Sequence, residues 1–435
     1  MKSGLLLPLN ELKVSYHNKL LTCQGIIAKL SSEFEDDHFG LIQIAFIQCL
    51  KTDKKSIGVQ RGIDVILQKD HIGLANLGDR VQITGILEVY KAHDSQPRNL
   101  AVLAQKIELK NNVEYENITN EDIEKFKNIA KSPNLQQRLA NFIFDNILID
   151  DSIKLVGLLT AFSKDSPKNM ERNIHGKISM LIIGTSRTFK STYLRKLEEK
   201  LSFMTIKFSQ KSDVRFVSSK SRYKIGGERC QISGLTDYVK EGIVLIDNLE
   251  ELKDSRLSSL NAEFTDILKK ASIIAAVHSK DKQYNNKLSA SDNLRFPRKR
   301  GLLRQFDLVL VANSKLTKNS FVFESEENLY RGEKGNFQFT NEFLRKYIIY
   351  AKEEFEPMIS NESLMNRIIE FKEEVVNLNK EKFLFGILEI GNLVRGIITL
   401  SKAHARIAFR DEIKEEDVEK VLKIYRSSLA NVGLI

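Results

Sequence analysis

The stretch from Ile178 to Ser191, which reads ISMLIIGTSRTFKS, decides the fold. A short apolar segment ends in Gly184, a polar loop follows, and Lys190 and Ser191 open the next segment. This strand–loop–helix order is typical of a phosphate-binding loop, where loop amides and a helix N-terminus hold phosphates, the lysine adds a positive charge and the serine hydroxyl binds Mg²⁺. Because Phe189 stands where that pattern has its second glycine, an ordinary strand–turn–helix is an alternative interpretation of this stretch alone.

A second motif lies 57 residues after Lys190, where the segment EGIVLIDN ends in Asp247 and Asn248. An apolar strand that carries an acidic residue at its C-terminal end is typical of the Walker B strand, which holds Mg²⁺ in P-loop NTPases. In hydrolysing relatives a glutamate follows and polarises the attacking water, whereas Asn248 cannot act as a base. Asp247 alone would also suit a strand-end turn, but together with the upstream loop it indicates a nucleotide–Mg²⁺ site.

The rest of the chain divides by its hydrophobic periodicity. Residues 1–110 alternate apolar and polar positions over short stretches, which predicts a small β-barrel or sandwich. A Thr-x-x-Asp start predicts a capped helix from about Thr119, and two more helices follow it. From Ile178 onward, apolar strands alternate with helices, which predicts a parallel sheet covered on both faces, and residues 340–435 are helical and charged.

In their order, these segments resemble the minichromosome-maintenance (MCM) family, the AAA+ helicases of archaeal and eukaryotic replication. RGIDVIL and LGDRVQITGIL look like strands of the family's N-terminal OB-fold, HGKISMLIIGTSRTFKS like its P-loop, and GLTDYVKEGIVLIDNLEEL like its Walker B segment. SIIAAVHS looks like the sensor-1 strand, NLRFPRKRGLLRQFDLVLVAN like the arginine-finger segment, and LSKAHARIAFRDEIKEEDVEKVL like the lid.

The resemblance implies a multidomain fold, with an N-terminal β OB-fold followed by an α/β AAA+ P-loop domain and a helical lid. We expect the domains to be an OB-fold-like domain without zinc ribbon at 1–113, a helical linker and the start of the AAA+ domain at 114–170, the α/β core at 171–335, and the lid at 336–435.

Carried over position by position, the resemblance retains the nucleotide–Mg²⁺ group. It implies Mg²⁺ ligands at Ser191 and Asp247. Its nucleotide-binding residues are Gly184, Thr185, Ser186, Arg187, Thr188, Phe189, Lys190 and Ser191. Arg187 and Phe189 replace residues that are small in the family, so a crowded phosphate cradle is predicted.

The catalytic positions of the family are substituted. The resemblance puts Asn248 at the catalytic glutamate, His278 at the sensor-1 asparagine, Gln305 at the arginine finger, and Asn392, with Arg395 nearby, at the sensor-2 arginine. A histidine at a strand end is more often structural than catalytic. Arg304 would suit either a replacement finger that reaches a neighbouring subunit or one more member of a basic run. Because loss of a finger and of the water-orienting carboxylate removes most phosphoryl-transfer catalysis, we expect poor or no ATP hydrolysis.

Charge and cysteine content limit which partners and which cellular compartment the protein can have. The net charge is +10, and residues 207–229 and 280–304 carry seven and eight basic residues against two acidic ones each. Such clusters suit a polyanion such as DNA, although solvated lysine-rich loops would have the same composition. The candidate DNA-binding residues are Lys280, Lys282, Arg295, Arg298, Lys299 and Arg300. Three scattered cysteines without a CxxC pair argue against disulfides and zinc and favour a reduced, intracellular compartment. The resemblance implies that this is the cytoplasm or nucleoid of an archaeon or a nucleus. No apolar run is long enough to suggest a membrane partner.

Parts of the family's DNA machinery look shortened. Between Phe46 and Gly62 the chain has no room for a zinc ribbon with its DNA-binding hairpin, and between Lys270 and Ser272 none for the pre-sensor-1 hairpin. No winged-helix domain is expected after the lid, whereas a helix-2 insert is expected within the basic stretch 207–229.

Three functions follow from these patterns. The first is an MCM-like AAA+ protein of DNA replication that binds DNA and, through ATP and Mg²⁺, nucleotide, hydrolyses weakly or not at all, does not unwind DNA by itself and associates with other MCM subunits. The second is an active ATP-dependent DNA helicase. The third is a single-strand-binding or scaffold protein whose AAA+ domain is purely structural.

Overall fold

The computed structural model describes residues 5–7, 9, 12–36, 38–48, 62–90, 99–110, 117–165, 176–208, 216–225, 228–239, 241–280, 285, 293–294, 300–312, 339–382 and 390–432. The chain divides into two compact units: Met1–Asn117 with Asp213–Lys240, and Ile118–Ser212 with Glu241–Ile435.

The strands of the described residues are, in chain order, β1 (Leu5–Leu6), β2 (Leu20–Ser31), β3 (Phe34–Asp36), β4 (Gly40–Gln48), β5 (Gly62–Gln68), β6 (Arg80–Tyr90), β7 (Asn99–Leu109), β8 (Ser179–Gly184), β9 (Thr205–Phe208), β10 (Ser219–Ile225), β11 (Glu228–Ile232), β12 (Ile243–Ile246), β13 (Ser272–His278) and β14 (Leu308–Ala312). The α-helices are α1 (Asn120–Ala130), α2 (Leu135–Ile143), α3 (Asp151–Ala161), α4 (Lys190–Lys200), α5 (Leu235–Tyr238), α6 (Asp254–Leu268), α7 (Arg300–Leu303), α8 (Asn341–Glu354), α9 (Glu362–Lys382), α10 (Ile390–Ile407) and α11 (Glu415–Asn431).

The first unit contains a closed, OB-like barrel of five strands. The pairing order β2–β6–β7–β5–β4 returns to β2, and every pair is antiparallel except β5 with β7. Strict alternation along β6 turns Val81, Ile83 and Leu87 into the barrel core. This confirms the predicted barrel. Strand β7 was harder to recognise from sequence because buried residues are adjacent at Ala101 and Val102, which breaks the alternation.

The segment 213–240 also belongs to the first unit. Strands β10 and β11 form an antiparallel hairpin, and β11 continues the barrel sheet by pairing with β2, with Cys230 opposite Ser31. The short helix α5 follows, and Gly78 (φ +81°) approaches the backbone of Asp237 so closely that a Cβ at Gly78 would lie 2.0 Å from its carbonyl oxygen. A hairpin therefore lies in the basic stretch where the helix-2 insert was expected.

The second unit is built on a five-stranded parallel sheet in the order β14–β8–β13–β12–β9. Successive side chains of a strand point to opposite faces, and those of β8, β12 and β14 are buried throughout. Both faces of the sheet are therefore covered, as its apolar runs predict. The helix α6 and strand β13 are joined by only Lys269, Lys270 and Ala271, so the continuous described range 241–280 contains no hairpin there, as expected.

Helices surround this sheet. Helix α1 begins with the predicted capping box, in which the Thr119 hydroxyl accepts from Asp122 N–H and the Asp122 carboxylate from Thr119 N–H. The lid helices α8–α11 follow the sheet in sequence, and α11 is anchored to β14 by the hydroxyls of Tyr425 and Ser428, which donate to the carbonyls of Asp307 and Val309. Across the described residues, we find no helix with both the length and the apolarity of a membrane span.

Candidate nucleotide-binding site

Three segments of the second unit meet at the carboxyl edge of the parallel sheet. The loop after β8 begins at Gly184, Asp247 follows β12, and His278 ends β13 in register with Gly184. Ser279 N–H donates to the Gly184 carbonyl over 3.1 Å, which fixes the end of β13 against the loop. In open parallel sheets this edge is where ligands bind.

Lys190 is folded into its own loop. Its ammonium donates to the carbonyls of Gly184 and Thr185, both at 2.8 Å, and to the Thr188 hydroxyl at 3.1 Å. Burial lowers the pKa of Lys190 to about 8, and the negative charges of Glu250 and Asp247 oppose that shift. The lysine is therefore positioned by oxygen atoms that do not neutralise its charge, which leaves the charge for an anion.

The loop has the backbone of a phosphate cradle despite its large side chains. Phe189 adopts the left-handed conformation (φ 60°) that the glycine of the general pattern adopts easily, and Arg187 does the same (φ 68°). A Cβ on Gly184 would lie 2.6 Å from the Thr188 hydroxyl and 2.8 Å from the Ala312 carbonyl. The N–H groups from Ser186 to Ser191 donate no hydrogen bond within the described part of the chain, so they are available to an anion.

Ser191 and Asp247 lie next to each other. The Ser191 hydroxyl donates to Asp247 Oδ1 over 3.0 Å, so the two oxygen ligands that Mg²⁺ prefers converge. The ammonium of Lys207, from β9, lies 3.3 Å from the other carboxylate oxygen of Asp247. The residues fit a magnesium ion held through Ser191 and Asp247, with Lys207 sharing the carboxylate.

Two of the substituted catalytic positions, Asn248 and His278, lie at this edge, and a carboxylate from another position, Glu250, lies beside His278. Asn248 is left-handed (φ 50°), and its side chain makes no hydrogen bond in the part of the chain that the structure describes. His278 instead contacts Glu250: its ring Nδ1 lies 2.7 Å from Glu250 Oε1 and its backbone N–H donates to the same oxygen over 3.1 Å.

The remaining substituted positions lie at the opposite edge of the sheet. Arg304 and Gln305 precede β14, and its five residues, at roughly 3.3 Å each, separate them by about 16 Å from the edge that carries the P-loop. The Gln305 amide donates to the carbonyl and side-chain oxygens of Asn261, and Asn392 donates to the carbonyls of Arg304 and Gln305. Arg304 is exposed. At about 16 Å, a cation at this edge does not reach the candidate nucleotide site of its own chain.

Arg395, the cation near the sensor-2 position, is bound inside its own chain. Its guanidinium donates to Asp307 Oδ1, with Nε at 3.0 Å, and the other carboxylate oxygen of Asp307 accepts from the backbone and hydroxyl of Ser179. Burial raises the pKa of Asp307, while Arg395 and Ser179 oppose that shift. Arg395 therefore holds α10 against β14 and β8.

The candidate DNA-binding residues are only partly described. Lys280 is exposed, just after β13, and its N–H donates to the Asn293 carbonyl. Arg300 opens α7. Lys282, Arg295, Arg298 and Lys299 lie outside the described residues, as does most of the segment between Phe46 and Gly62 for which no zinc ribbon is expected. Among the residues that are described, no three His, Cys, Asp or Glu side chains converge as a metal site.

Two residues of the candidate nucleotide site were not recognised from sequence. Glu250 belongs to the acidic pair that follows the Walker B asparagine, and an acid three residues after Asp247 was the available signal. Lys207 carried no such signal, because its approach to Asp247 depends on the pairing of β9 with β12.

Comparison with known proteins identifies the chain's relatives. The family model of the MCM P-loop domain matches residues 122–320, and that of the MCM AAA-lid domain matches residues 342–429. A minichromosome maintenance protein of Saccharolobus solfataricus is 27% identical over 90% of this chain and 60% of its own length. A DNA replication licensing factor of Drosophila melanogaster is 24% identical over 85% of this chain and 46% of its own. An uncharacterised MCM-type protein of Methanocaldococcus jannaschii is 26% identical over 73% and 45%. The chain thus spans about half the length of these relatives.

Proposed function

Because the chain belongs to the minichromosome-maintenance family, we propose that it is an AAA+ protein of DNA replication that binds Mg·ATP and DNA, hydrolyses ATP weakly or not at all, and does not unwind DNA by itself. The related proteins are named for chromosome maintenance and replication licensing, which supports the process but not the activity of this chain.

The observation that carries this proposal is the contrast between the two edges of the parallel sheet. At the carboxyl edge the lysine, the serine and the aspartate of a nucleotide site converge, and the loop amides are available to phosphates. Mg²⁺, when bound there, would neutralise phosphate charge and orient the terminal phosphate. At the opposite edge, the finger position is the neutral Gln305, tied to Asn261. Binding is supported, while the residue at the finger position carries no charge with which to stabilise the transition state in the site of a second copy.

Association with other MCM subunits is part of the proposal, supported by the position of Arg304. It is an exposed cation directly beside the finger position, at an edge from which it can serve only a site on another subunit. This observation also favours a second candidate function, in which the chain supports ATP hydrolysis as a member of a mixed assembly.

The test is to measure the affinity for Mg·ATP and the steady-state ATP hydrolysis of the isolated protein, with and without single-stranded DNA. Lys190→Ala is the blank, because it removes the loop cation. We expect wild type to bind a fluorescent ATP analogue at least about tenfold more tightly than Lys190→Ala. We expect its ATP turnover to be well below about 1 s⁻¹, the lower end of typical kcat values.

Duplex unwinding is measured on the same samples and is expected to be absent. DNA-stimulated turnover on the order of 1 s⁻¹ or faster, or unwinding by the isolated chain, would contradict the proposal in favour of an active helicase. Equal nucleotide binding by wild type and Lys190→Ala would contradict it in favour of a structural AAA+ domain.

A further inference from the structure

The carboxylate of Glu250 is buried, and one of its oxygens lacks a partner. Its side chain is 10% exposed and lies in the short helical turn that follows Asn248. Oε1 accepts the two contacts from His278, whereas Oε2 has no hydrogen-bond partner among the described residues. A buried acceptor without a donor is unfavourable in free energy, so such an atom points to a donor that arrives with a ligand.

This oxygen belongs to the nucleotide site. His278, which holds the carboxylate, is in register with Gly184, the first residue of the P-loop. The negative charges of Glu250 and Asp247 both oppose the lowering of the Lys190 pKa by burial, so both acids act on the loop lysine. The Glu250 carboxylate is therefore at the carboxyl edge of the sheet, the edge that carries the P-loop and the residues that would hold Mg²⁺.

Asn248 cannot accept a proton, but Glu250, two residues later, can. We propose that Glu250 is the carboxylate that holds and deprotonates the water attacking the terminal phosphate of ATP, with His278 as its positioning residue. This inference rests on the proposed nucleotide site and names the residue that would carry out the weak hydrolysis that the proposed function allows. It gives the sensor-1 histidine a role through Glu250 rather than through direct contact with phosphate.

The step balances with groups already named. The water oxygen forms a bond to the terminal phosphorus, while the bond from that phosphorus to the bridging oxygen breaks and its electron pair stays on ADP. The proton leaves the water for Glu250 Oε2. The two N–H groups of His278 keep Oε1 occupied, so that Oε2 is the oxygen that faces the water.

The experiment compares Glu250→Gln with Glu251→Gln, a control that removes the same charge from an exposed neighbouring side chain. Two readouts are taken: single-turnover hydrolysis with protein in excess over ATP, and equilibrium affinities for fluorescent ATP and ADP analogues. Loss of a general base is expected to lower the single-turnover rate of Glu250→Gln by about 100-fold or to the Lys190→Ala blank. Removing a negative charge near the terminal phosphate should tighten ATP binding by about fivefold and change ADP binding by less than about twofold. Glu251→Gln should change neither readout, because solvent screens its charge.

His278 is tested by its own pair of variants. His278→Ala should lower the single-turnover rate by about tenfold with little effect on ADP affinity. His278→Asn should recover part of that rate, because its amide can donate to Glu250 in place of the ring. A purely structural histidine would not show this rescue.

The outcomes separate this inference from the proposed function. Wild type that binds ATP but shows no single turnover above the Lys190→Ala blank would overturn the role of Glu250 and leave the proposed function intact. The inference also fails if Glu251→Gln loses the rate to the same extent as Glu250→Gln, or if Glu250→Gln changes ATP and ADP binding equally. Wild type that binds neither nucleotide better than Lys190→Ala would overturn both.

Discussion

At the scale of single residues, the free site already contains the charge that phosphates need. Three oxygen atoms of the loop hold the Lys190 ammonium, and none of them is a carboxylate. Burial keeps the pKa of this group near 8 rather than at the usual value for lysine. The protonation state of Lys190 therefore changes within the pH range in which nucleotide binding is ordinarily measured.

We expect the affinity for Mg·ATP to fall as the pH rises through 8. Phosphate favours the charged lysine, and the free protein loses that charge above its lowered pKa. With a pKa of about 8, roughly nine-tenths of the free protein is protonated at pH 7 and about a tenth at pH 9, so affinity should weaken about tenfold. The measurement is a titration with a fluorescent ATP analogue from pH 7 to pH 9.

Lys190→Ala provides the control for this pH dependence. Any residual binding by that variant should be flat over the same range, because the titrating ammonium is gone. A flat profile for wild type would show that Lys190 stays charged in the free protein and would contradict the expectation.

At the scale of elements, the lid is held to the sheet by a buried charge. Arg395 on α10 binds Asp307 at the start of β14, and Asp307 also binds Ser179 at the start of β8. The Asp307 carboxylate is fully buried, while the Arg395 side chain is 17% exposed. An arginine that neutralises a buried carboxylate in its own chain cannot also serve a neighbouring nucleotide site.

Replacing Arg395 by methionine should lower the free energy of unfolding by about 3–5 kcal/mol, because it leaves the Asp307 charge buried without its cation. The double variant Asp307→Asn/Arg395→Met should recover more than half of that loss, since an amide oxygen still accepts from Ser179. Denaturant unfolding measures both. Arg367→Met is the control: its ion pairs with Glu415 and Glu419 are at the surface, and their loss should cost less than about 1 kcal/mol. Equal effects at Arg395 and Arg367 would refute the structural role of Arg395.

At the scale of the whole molecule, the expectation that the protein binds DNA depends on its charge and not on its shape. The chain carries a net charge of +10, and its basic residues concentrate in two stretches. Binding that depends on phosphate neutralisation releases counterions and weakens as salt rises. The affinity for single-stranded DNA should therefore depend steeply on salt if these stretches contact the backbone.

The triple variant Arg298→Ala/Lys299→Ala/Arg300→Ala should weaken single-stranded DNA binding by on the order of tenfold and reduce the slope of log affinity against log salt by about 1–2. Lys414→Ala/Lys420→Ala/Lys423→Ala removes the same charge from exposed lid lysines. Screening should limit that change to less than about twofold. Fluorescence anisotropy titrations at salt concentrations from about 50 to about 200 mM measure the affinity and the salt dependence of both triple variants. Equal losses for the two triples would show that net charge, and not this basic run, governs binding.

The sequence by itself determined which segments form helices and strands and where the P-loop lies. The parallel strands, the capped helix at Thr119, the barrel strands and the position of Lys190 depend on periodicity and on residues adjacent in the chain, so they could be predicted locally. The order of these segments was sufficient to identify the family.

Only the tertiary structure decided how distant residues pair. Glu250 and His278 are 28 residues apart, Lys207 and Asp247 are 40 apart, and Asp307 and Arg395 are 88 apart. Strand order and register bring the first two pairs together, and the packing of α10 on the sheet brings the third; none of these is encoded by the spacing of the residues themselves. The same holds for β11 beside β2, where a segment from the middle of the chain extends the N-terminal sheet. The sequence shows that Asn248 replaces the family's catalytic glutamate. Only the tertiary structure shows that the pairing of β12 with β13 puts another carboxylate, Glu250, against His278.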